Sequence, residues 1–162
     1  DLTTLGKVVG GGMPLAVYGG RRDIMSVVAP LGPVYQAGTL SGNPAAVAAG
    51  LATLAHLDAA LYRKLEALGA RLEQGLSNAA AGIPHCVQRV GAMLTLFFSA
   101  GPIRNFADAS ATDSALFNRF HRGMLERGIY WPPSKYEAAF LSGAHTEADI
   151  DCTVAAARAA LS

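Results

Sequence analysis

The stretch TLGKVVGGGMP, residues 4–14, sets a single charged residue, Lys7, in an apolar run and follows it with three glycines. Its β-branched and apolar residues predict a strand over residues 2–9, and residues 15–18 predict a second strand after the glycine turn. A lysine kept from water loses its proton more readily, and the neutral amine can attack a carbonyl to form a Schiff base. The alternative, which composition alone favours, is a lysine on an edge strand with its ammonium in water.

The bulk composition argues against several classes of protein. Of the 162 residues, 51% are hydrophobic and 15% charged, so part of the apolar surface should meet another chain or a further segment. The 13 basic and 12 acidic residues are scattered, without the basic stripe that nucleic acid requires. Prolines and glycines interrupt the uncharged segment between Asp23 and Asp58, which predicts no transmembrane helix. The start at Asp1, without a methionine, leads us to expect a fragment.

Two other kinds of site find little support. Cys86 and Cys152 lie far apart and match no metal-ligand spacing, so we expect reduced thiols, no metal site and a cytosolic location. A phosphate-binding P-loop requires Ser or Thr directly after Gly-Lys, and Val8 stands at that position.

A long loop precedes a helix in the first part of the chain. Residues 30–43 are rich in turn formers and predict an ordered loop, long enough to carry function. Within it the hydroxyls of Thr39 and Ser41 lie beside glycines, just ahead of a helix that begins at Pro44. Such a position suits an anion such as phosphate, and capping of the helix by Asn43 or Ser41 is the alternative.

The second part of the chain predicts helix, two strands, helix, strand and helix. The elements are an amphipathic helix with Leu61, Leu65, Leu68, Leu72 and Leu76 on one face; two strands in residues 85–99 around Gly91; a helix from Leu116 to Leu125 that Gly128 ends; a short strand over residues 129–131; and a last helix with a Thr146–Asp149 capping box and the stripe Ile150, Val154, Ala157 and Leu161. With the change near residue 60 from a glycine-rich to a helical part, this order predicts an α/β or α+β arrangement with two subdomains.

Two polar residues in this second part are candidates for chemistry. Glu137 has few charged neighbours and follows two prolines, so it could orient a ligand, and an ordinary surface glutamate is the alternative. His145 stands just before a helix cap, where a structural histidine is more common than a catalytic base.

Three stretches taken together resemble one enzyme family. Residues 4–14, VYQAGTLSGNP at 34–44 and PSKYEAAFLSGAHTEADID at 133–151 are similar, in order and spacing, to the glutamate-1-semialdehyde 2,1-aminomutases, fold-type I pyridoxal-phosphate enzymes related to the ω-aminotransferases. The resemblance spans essentially the whole chain and corresponds to the C-terminal portion of the family's chain. It implies that residues 1–60 complete the cofactor-binding large domain of an α/β fold, and that residues 61–162 form the small C-terminal α+β domain.

The resemblance also implies roles for individual residues. Lys7 matches the lysine that forms the Schiff base with pyridoxal 5′-phosphate and, once substrate has released it, carries a proton. Thr39, helped by Gly38, matches the threonine that hydrogen-bonds the cofactor phosphate of the neighbouring subunit, which implies a homodimer. Glu137 matches a glutamate that approaches cofactor and substrate, although Tyr136 stands where phenylalanine is commoner.

The activity implied by this resemblance is an intramolecular amino transfer that converts glutamate 1-semialdehyde to 5-aminolevulinate in tetrapyrrole (porphyrin) biosynthesis. The nearest alternative is an ω-aminotransferase of the acetylornithine or 4-aminobutyrate type, which uses an external amino donor. A noncatalytic interaction or assembly module is the alternative from a different class. In the family, much of the cofactor-binding equipment precedes the position of Asp1, so we expect this chain alone to bind cofactor poorly and to be inactive.

Overall fold

The computed structural model describes residues 1–162 and divides into two compact units, Asp1–Asp58 and Ala59–Ser162. The first unit contains β1 (Leu2–Leu5), a 3₁₀ helix (Lys7–Gly10), β2 (Val17–Gly20), α1 (Arg22–Met25) and α2 (Pro44–Ala55). The second unit contains α3 (Ala59–Ala79), β3 (Cys86–Val90), β4 (Met93–Phe97), α4 (Phe106–Ser110), α5 (Ser114–Glu126), β5 (Ala139–Phe140) and α6 (Glu147–Leu161). No single helix is long and apolar enough to cross a membrane, and only α2 and α3 taken together as a broken span meet those criteria.

The first strand is shorter than its sequence predicts. β1 pairs antiparallel with β2, with Leu5 opposite Val17, and the predicted strand over residues 2–9 is wrong beyond Leu5 because the chain enters the 3₁₀ helix. The β propensity of Val8 and Val9 is overridden by packing, since Val9 is buried and the segment lies against α2. The turn is closed by a hydrogen bond from Gly11 N–H to the Val8 carbonyl oxygen at 3.0 Å.

Helix α2 provides the surface on which this segment lies. It begins at Pro44, and the Asn43 side chain accepts hydrogen bonds from the first two free N–H groups of the helix, each at 3.1 Å, which confirms the predicted cap. A Cβ atom at Gly50, inside this helix, would lie 3.2 Å from the Val9 carbonyl oxygen and would clash with the Leu15 side chain. The close approach of the two segments therefore requires glycine at position 50.

The second unit has a contiguous hydrophobic core. Its three strands form an antiparallel sheet in the order β3-β4-β5, and α6 packs against α3 and α5 while α3 also contacts β3 and β4. Phe120 is fully buried and meets the rings of Phe98 and Trp131 edge-on, at centroid distances of 5.6 and 5.7 Å. The predicted amphipathic helix, the strands around Gly91 and the last helix with its capping box are confirmed.

One predicted strand is wrong. Residues 129–131 form no strand, and the third strand of the sheet is Ala139–Phe140, which pairs with β4. The Trp131 ring is buried against Phe120, and the two prolines that follow lack the N–H groups that a sheet requires. The short helix α4, which begins after the cap Asn105, carried too weak a pattern to be predicted.

Small residues set the distances between helices in the second unit. A Cβ atom at Gly75 of α3 would lie 3.0 Å from Val154 Cγ1 and closer still to Val154 Cγ2, on α6. A Cβ atom at Gly123 of α5 would lie 2.7 Å from the Cβ of Ala160 on the same helix α6. Helix α6 is therefore held at close range on both sides.

We expect Gly75→Ala to lower the free energy of unfolding. Overpacking against the stiff, β-branched Val154 costs about 1–3 kcal/mol, against a gain in helix propensity of about 1 kcal/mol. Urea denaturation measures the difference. Gly101→Ala is the matched control, because a Cβ atom there has no neighbour within 4 Å. A stability of Gly75→Ala above that of the unsubstituted protein would contradict the packing explanation.

Two carboxylates in the first turns of α6 have pKa values below the ordinary one. Asp149 accepts hydrogen bonds from the Thr146 hydroxyl at 2.7 Å and from the Thr146 N–H at 2.8 Å, which together hold its pKa below the ordinary value of 3.8. The Arg71 guanidinium donates to both oxygens of Asp151 at 2.8 Å and likewise lowers the pKa of that carboxyl.

Because both pKa values are lower in the folded than in the unfolded protein, we expect the stabilisation to be complete above the ordinary value of 3.8 and to be lost as the pH falls through the folded values. Urea denaturation at a series of acid pH values tests this expectation. The double variant Asp149→Asn/Asp151→Asn should show a flatter dependence of stability on pH in that range. If the stability of the two proteins fell equally at acid pH, these two carboxylates would not be the cause of the loss.

Candidate functional site

Lys7 occupies a strained backbone position. It is the first residue of the 3₁₀ helix, and its φ of 55° makes it the only non-glycine residue with a positive φ. The left-handed region costs a residue with a side chain roughly 1–2 kcal/mol, and strain of this kind concentrates at functional sites. The strand predicted to carry Lys7 is thus replaced by a turn that presents this residue in an unusual conformation.

The Lys7 ammonium is exposed and makes no hydrogen bond or ion pair within the chain. Its sequence neighbours do not shield it from water, because Leu5 is 45% and Val8 81% exposed and only Val9 is buried. The amine is therefore free of partners that would neutralise it or hold it in place. Any shielding from water has to come from atoms outside these neighbours.

The glycines after Lys7 have separate roles. Gly11 has a φ of 57°, and a Cβ atom there would lie 2.6 Å from Thr53 Oγ1 of α2, so it permits close packing. Gly12 has a φ of 92°, and a Cβ atom there would have no neighbour within 4 Å. Open space beside the backbone at Gly12 is what a flat ligand needs to approach closely.

The loop ahead of α2 carries the second group of candidate residues. The Gly38 carbonyl oxygen accepts from Ser41 N–H at 2.9 Å, which places Thr39 at the second position of a tight turn. Thr39 is exposed, and its hydroxyl and N–H have no partner within the chain. Asn43 already occupies the free donors at the start of α2, so an anion here would be held by Thr39 and its turn and not by the helix end.

Glu137 belongs to the second unit, whereas Lys7, Gly38 and Thr39 belong to the first. Its N–H donates to the Ser134 carbonyl oxygen at 3.0 Å, and its own carbonyl oxygen accepts from the Thr95 hydroxyl at 3.3 Å. The carboxylate is exposed and has no partner within the chain. It lines a cavity of about 540 Å³, so it is available to a ligand.

His145 lines the same cavity and is tied to its own loop. Its Nδ1 accepts a hydrogen bond from the Ser142 N–H at 2.9 Å and lies 3.0 Å from the Ser142 hydroxyl. These contacts agree with the structural role that its position suggests. Lys135 is buried, and the sequence does not predict this because nothing in its neighbourhood distinguishes it from a surface lysine.

Comparison with known proteins places these residues in a family. Residues 1–134 match the model of the class-III aminotransferases. The chain belongs to this family. It is 69% identical to a glutamate-1-semialdehyde 2,1-aminomutase of Sorangium cellulosum, over 99% of this chain and 37% of that protein. It is 64% identical to an enzyme of the same name from Thermus thermophilus, over 99% of this chain and 39% of that protein. The chain thus spans less than two fifths of the length of these relatives.

Solved structures of the same kind share the fold. An ω-transaminase from Sphaerobacter thermophilus matches with a TM-score of 0.86 at 29% identity, over 99% of this chain and 38% of that one. A variant glutamate-1-semialdehyde aminomutase from Pseudomonas aeruginosa PAO1, in complex with PMP, matches with a TM-score of 0.82 at 26% identity and the same coverage. These matches confirm the predicted α/β fold class, that of the fold-type I pyridoxal-phosphate enzymes.

We expect Lys7→Gly to be more stable than Lys7→Ala by about 1 kcal/mol, because glycine adopts a φ of 55° without the penalty that a Cβ atom brings. Urea denaturation of the two variants measures the difference. Val8, which is exposed and has no positive φ, provides the control pair, and there the glycine variant should be the less stable one. Equal stability of the two Lys7 variants would show that the position is unstrained.

Proposed function

We propose that the protein carrying this chain is a glutamate-1-semialdehyde 2,1-aminomutase, which moves an amino group within one substrate molecule and yields 5-aminolevulinate for tetrapyrrole biosynthesis. The observation that carries the proposal is Lys7, an amine without partners on a strained turn beside an open glycine backbone. The identity of 54–69% to relatives named as this enzyme supports the choice of reaction.

The residues present fit pyridoxal 5′-phosphate as the cofactor. Lys7 would hold it through the amine, and the open space beside Gly12 would admit its flat ring. Thr39, with its hydroxyl and N–H unpaired, and Gly38 would hold a phosphate, in our proposal that of the neighbouring subunit. When bound, this cofactor supplies an acceptor for the electrons released when a bond to the substrate carbon breaks.

The chain's own residues would supply proton transfer and orientation. A lysine amine that is free to move can take up and return a proton, and Lys7 has no competing partner in the chain. The Glu137 carboxylate is likewise unpaired and can accept a hydrogen bond from a ligand. We assign Lys7 the proton-carrying role and Glu137 the orienting one.

A homodimer and a cytoplasmic location are parts of the proposal. Leu31 and Tyr35, in the loop that leads to Thr39, are 82% and 84% exposed. Apolar surface of this kind supports burial by another chain, and the neighbouring-subunit role of Thr39 makes a second copy the natural partner. Both cysteines are free thiols, which suits a reducing compartment.

An ω-aminotransferase with an external amino donor is the second candidate. The match of the Sphaerobacter thermophilus ω-transaminase, at a TM-score of 0.86, is as good as that of the aminomutase, so the fold does not separate the two reactions. The need for a second substrate does separate them. An aminomutase forms 5-aminolevulinate from glutamate 1-semialdehyde alone, whereas an aminotransferase stalls without a keto acid acceptor.

We expect Lys7→Ala, in the longest natural form of the protein, to reduce 5-aminolevulinate formation by about 10²–10⁴-fold or more, since it removes both the attachment point and the proton carrier. Borohydride reduction followed by peptide mapping should place the cofactor label on Lys7 in the unsubstituted protein and nowhere in the variant.

Lys64→Ala is the matched control, because Lys64 is an exposed lysine of the other unit and should leave activity unchanged. Full activity of Lys7→Ala would support the noncatalytic alternative. Activity that appears only with an added keto acid would favour the aminotransferase.

A further inference from the structure

Lys135 is a buried ammonium that no carboxylate neutralises. Its side chain is 8% exposed, and Lys135 and Thr112 are the only buried polar residues of the chain. Its Nζ donates to the carbonyl oxygens of Ser110 and Thr112, each at 2.9 Å, and lies 5.3 Å from the centre of the Tyr136 ring. Burying an ammonium is costly unless its donors are paired, and here two backbone oxygens accept two of its three N–H groups.

The two acceptor carbonyls belong to a firmly held part of the second unit. Ser110 is the last residue of α4, so the ammonium meets a helix end at which carbonyl groups lack partners. The segment is fixed further along, because Asp113 N–H donates to the carbonyl oxygen of Phe98, a buried core residue that follows β4. Lys135 is thereby attached to the core through a short stretch of backbone.

The residues next to Lys135 are held partly by α4 and partly by the loop itself. The Tyr136 ring stacks on Phe106 of α4, with centroids 5.5 Å apart and an interplanar angle of 25°. The N–H groups of Tyr136 and Glu137 both donate to Ser134, to its hydroxyl at 3.2 Å and to its carbonyl oxygen at 3.0 Å. Only the Glu137 carboxylate is left free, on a loop of which the adjoining residues are fixed.

We propose that Lys135 is a positioning residue, which binds the loop of residues 132–138 to the end of α4 and so determines where the Glu137 carboxylate is presented. The inference rests on the proposed function, in which Glu137 orients the substrate. The Lys135 ammonium donates hydrogen bonds to two backbone carbonyl oxygens. Its role is therefore to hold the loop and not to transfer protons.

The test compares Lys135→Met with Lys64→Met in the longest natural form of the protein, loaded with cofactor. Methionine keeps most of the buried volume and removes the donors. Lys64 is the matched control because it too donates to a backbone carbonyl, that of Gly143 at 2.6 Å, but from an exposed position. Hydrogen–deuterium exchange of the amides in residues 134–138 and the separate values of kcat and KM are the readouts.

We expect Lys135→Met to speed exchange in this loop by about tenfold, without a similar change in α3 or α6, because two charge-assisted hydrogen bonds are lost locally. We expect kcat to fall by about 10- to 100-fold through misplacement of Glu137, with a smaller change in KM. Lys64→Met should change neither quantity. If Lys135→Met does not fold, Lys135→Gln, which keeps one donor group, replaces it. We then expect a smaller rise in exchange at residues 134–138 and a smaller fall in kcat.

Three outcomes overturn the inference. Unchanged exchange at residues 134–138 shows that Lys135 does not hold the loop, and an equal rise throughout the second unit shows a general loss of stability. Faster local exchange with an unchanged kcat shows that the loop does not position a working group. Glu137→Gln tests the premise separately. Full activity of that variant would show that Glu137 does not orient the substrate, and the tests on Lys7 would not be affected by that result.

Discussion

The close contact between the 3₁₀ helix and α2 is the constraint on which the candidate site depends. It exists because glycines stand at both surfaces, Gly50 on the helix and Gly11 at the end of the turn, where a Cβ atom would meet Leu15 or Thr53. Val9 of the 3₁₀ helix and Ala46 of α2 are both buried, and Lys7, the residue at the start of the turn, lies in the left-handed region. A strained residue persists only where its surroundings hold it, and here the contact with α2 holds it.

The two units differ in how large a hydrophobic core each one buries. The second unit buries a continuous core that includes Leu72, Phe120 and Ile150, with helices held close by Gly75 and Gly123. The first unit buries four residues in all, two of them glycines. Most of its apolar side chains face outward, so its stability owes little to a core of its own. The candidate attachment residue therefore lies in the unit that buries less, and the candidate orienting residue in the unit that buries more.

Sequence periodicity predicts the second unit well because burial there follows local pattern. The leucine stripe of α3, the strands around Gly91 and the capping box of α6 each arise from residues a few positions apart, and each is confirmed. The pattern fails where distant contacts decide the conformation. Val8 and Val9 favour a strand by propensity but form a turn against α2, and Trp131 leaves its predicted strand for a ring contact with Phe120.

The candidate site is predicted only in part for the same reason. The identities of Lys7, Gly38, Thr39 and Glu137 follow from motif resemblance. The unpaired side chains of Lys7, Thr39 and Glu137 agree with that choice. The strain at Lys7 and the burial of Lys135 have no local signal. Both depend on backbone segments that lie far away along the chain, α2 in one case and the end of α4 in the other.

The three lysines of the chain show how surroundings, and not residue type, decide which amine can react. Lys135 is buried and donates to two carbonyl oxygens, so a reagent would have to displace both hydrogen bonds to reach its amine. Lys64 is exposed but shares its ammonium with the Gly143 carbonyl oxygen. Lys7 alone combines the absence of any partner with a strained backbone. The strain at Lys7 lowers the stability of the fold, and no contact of the Lys7 side chain within this chain offsets that loss. An uncompensated strain of this kind is expected at a residue whose side chain serves a chemical role.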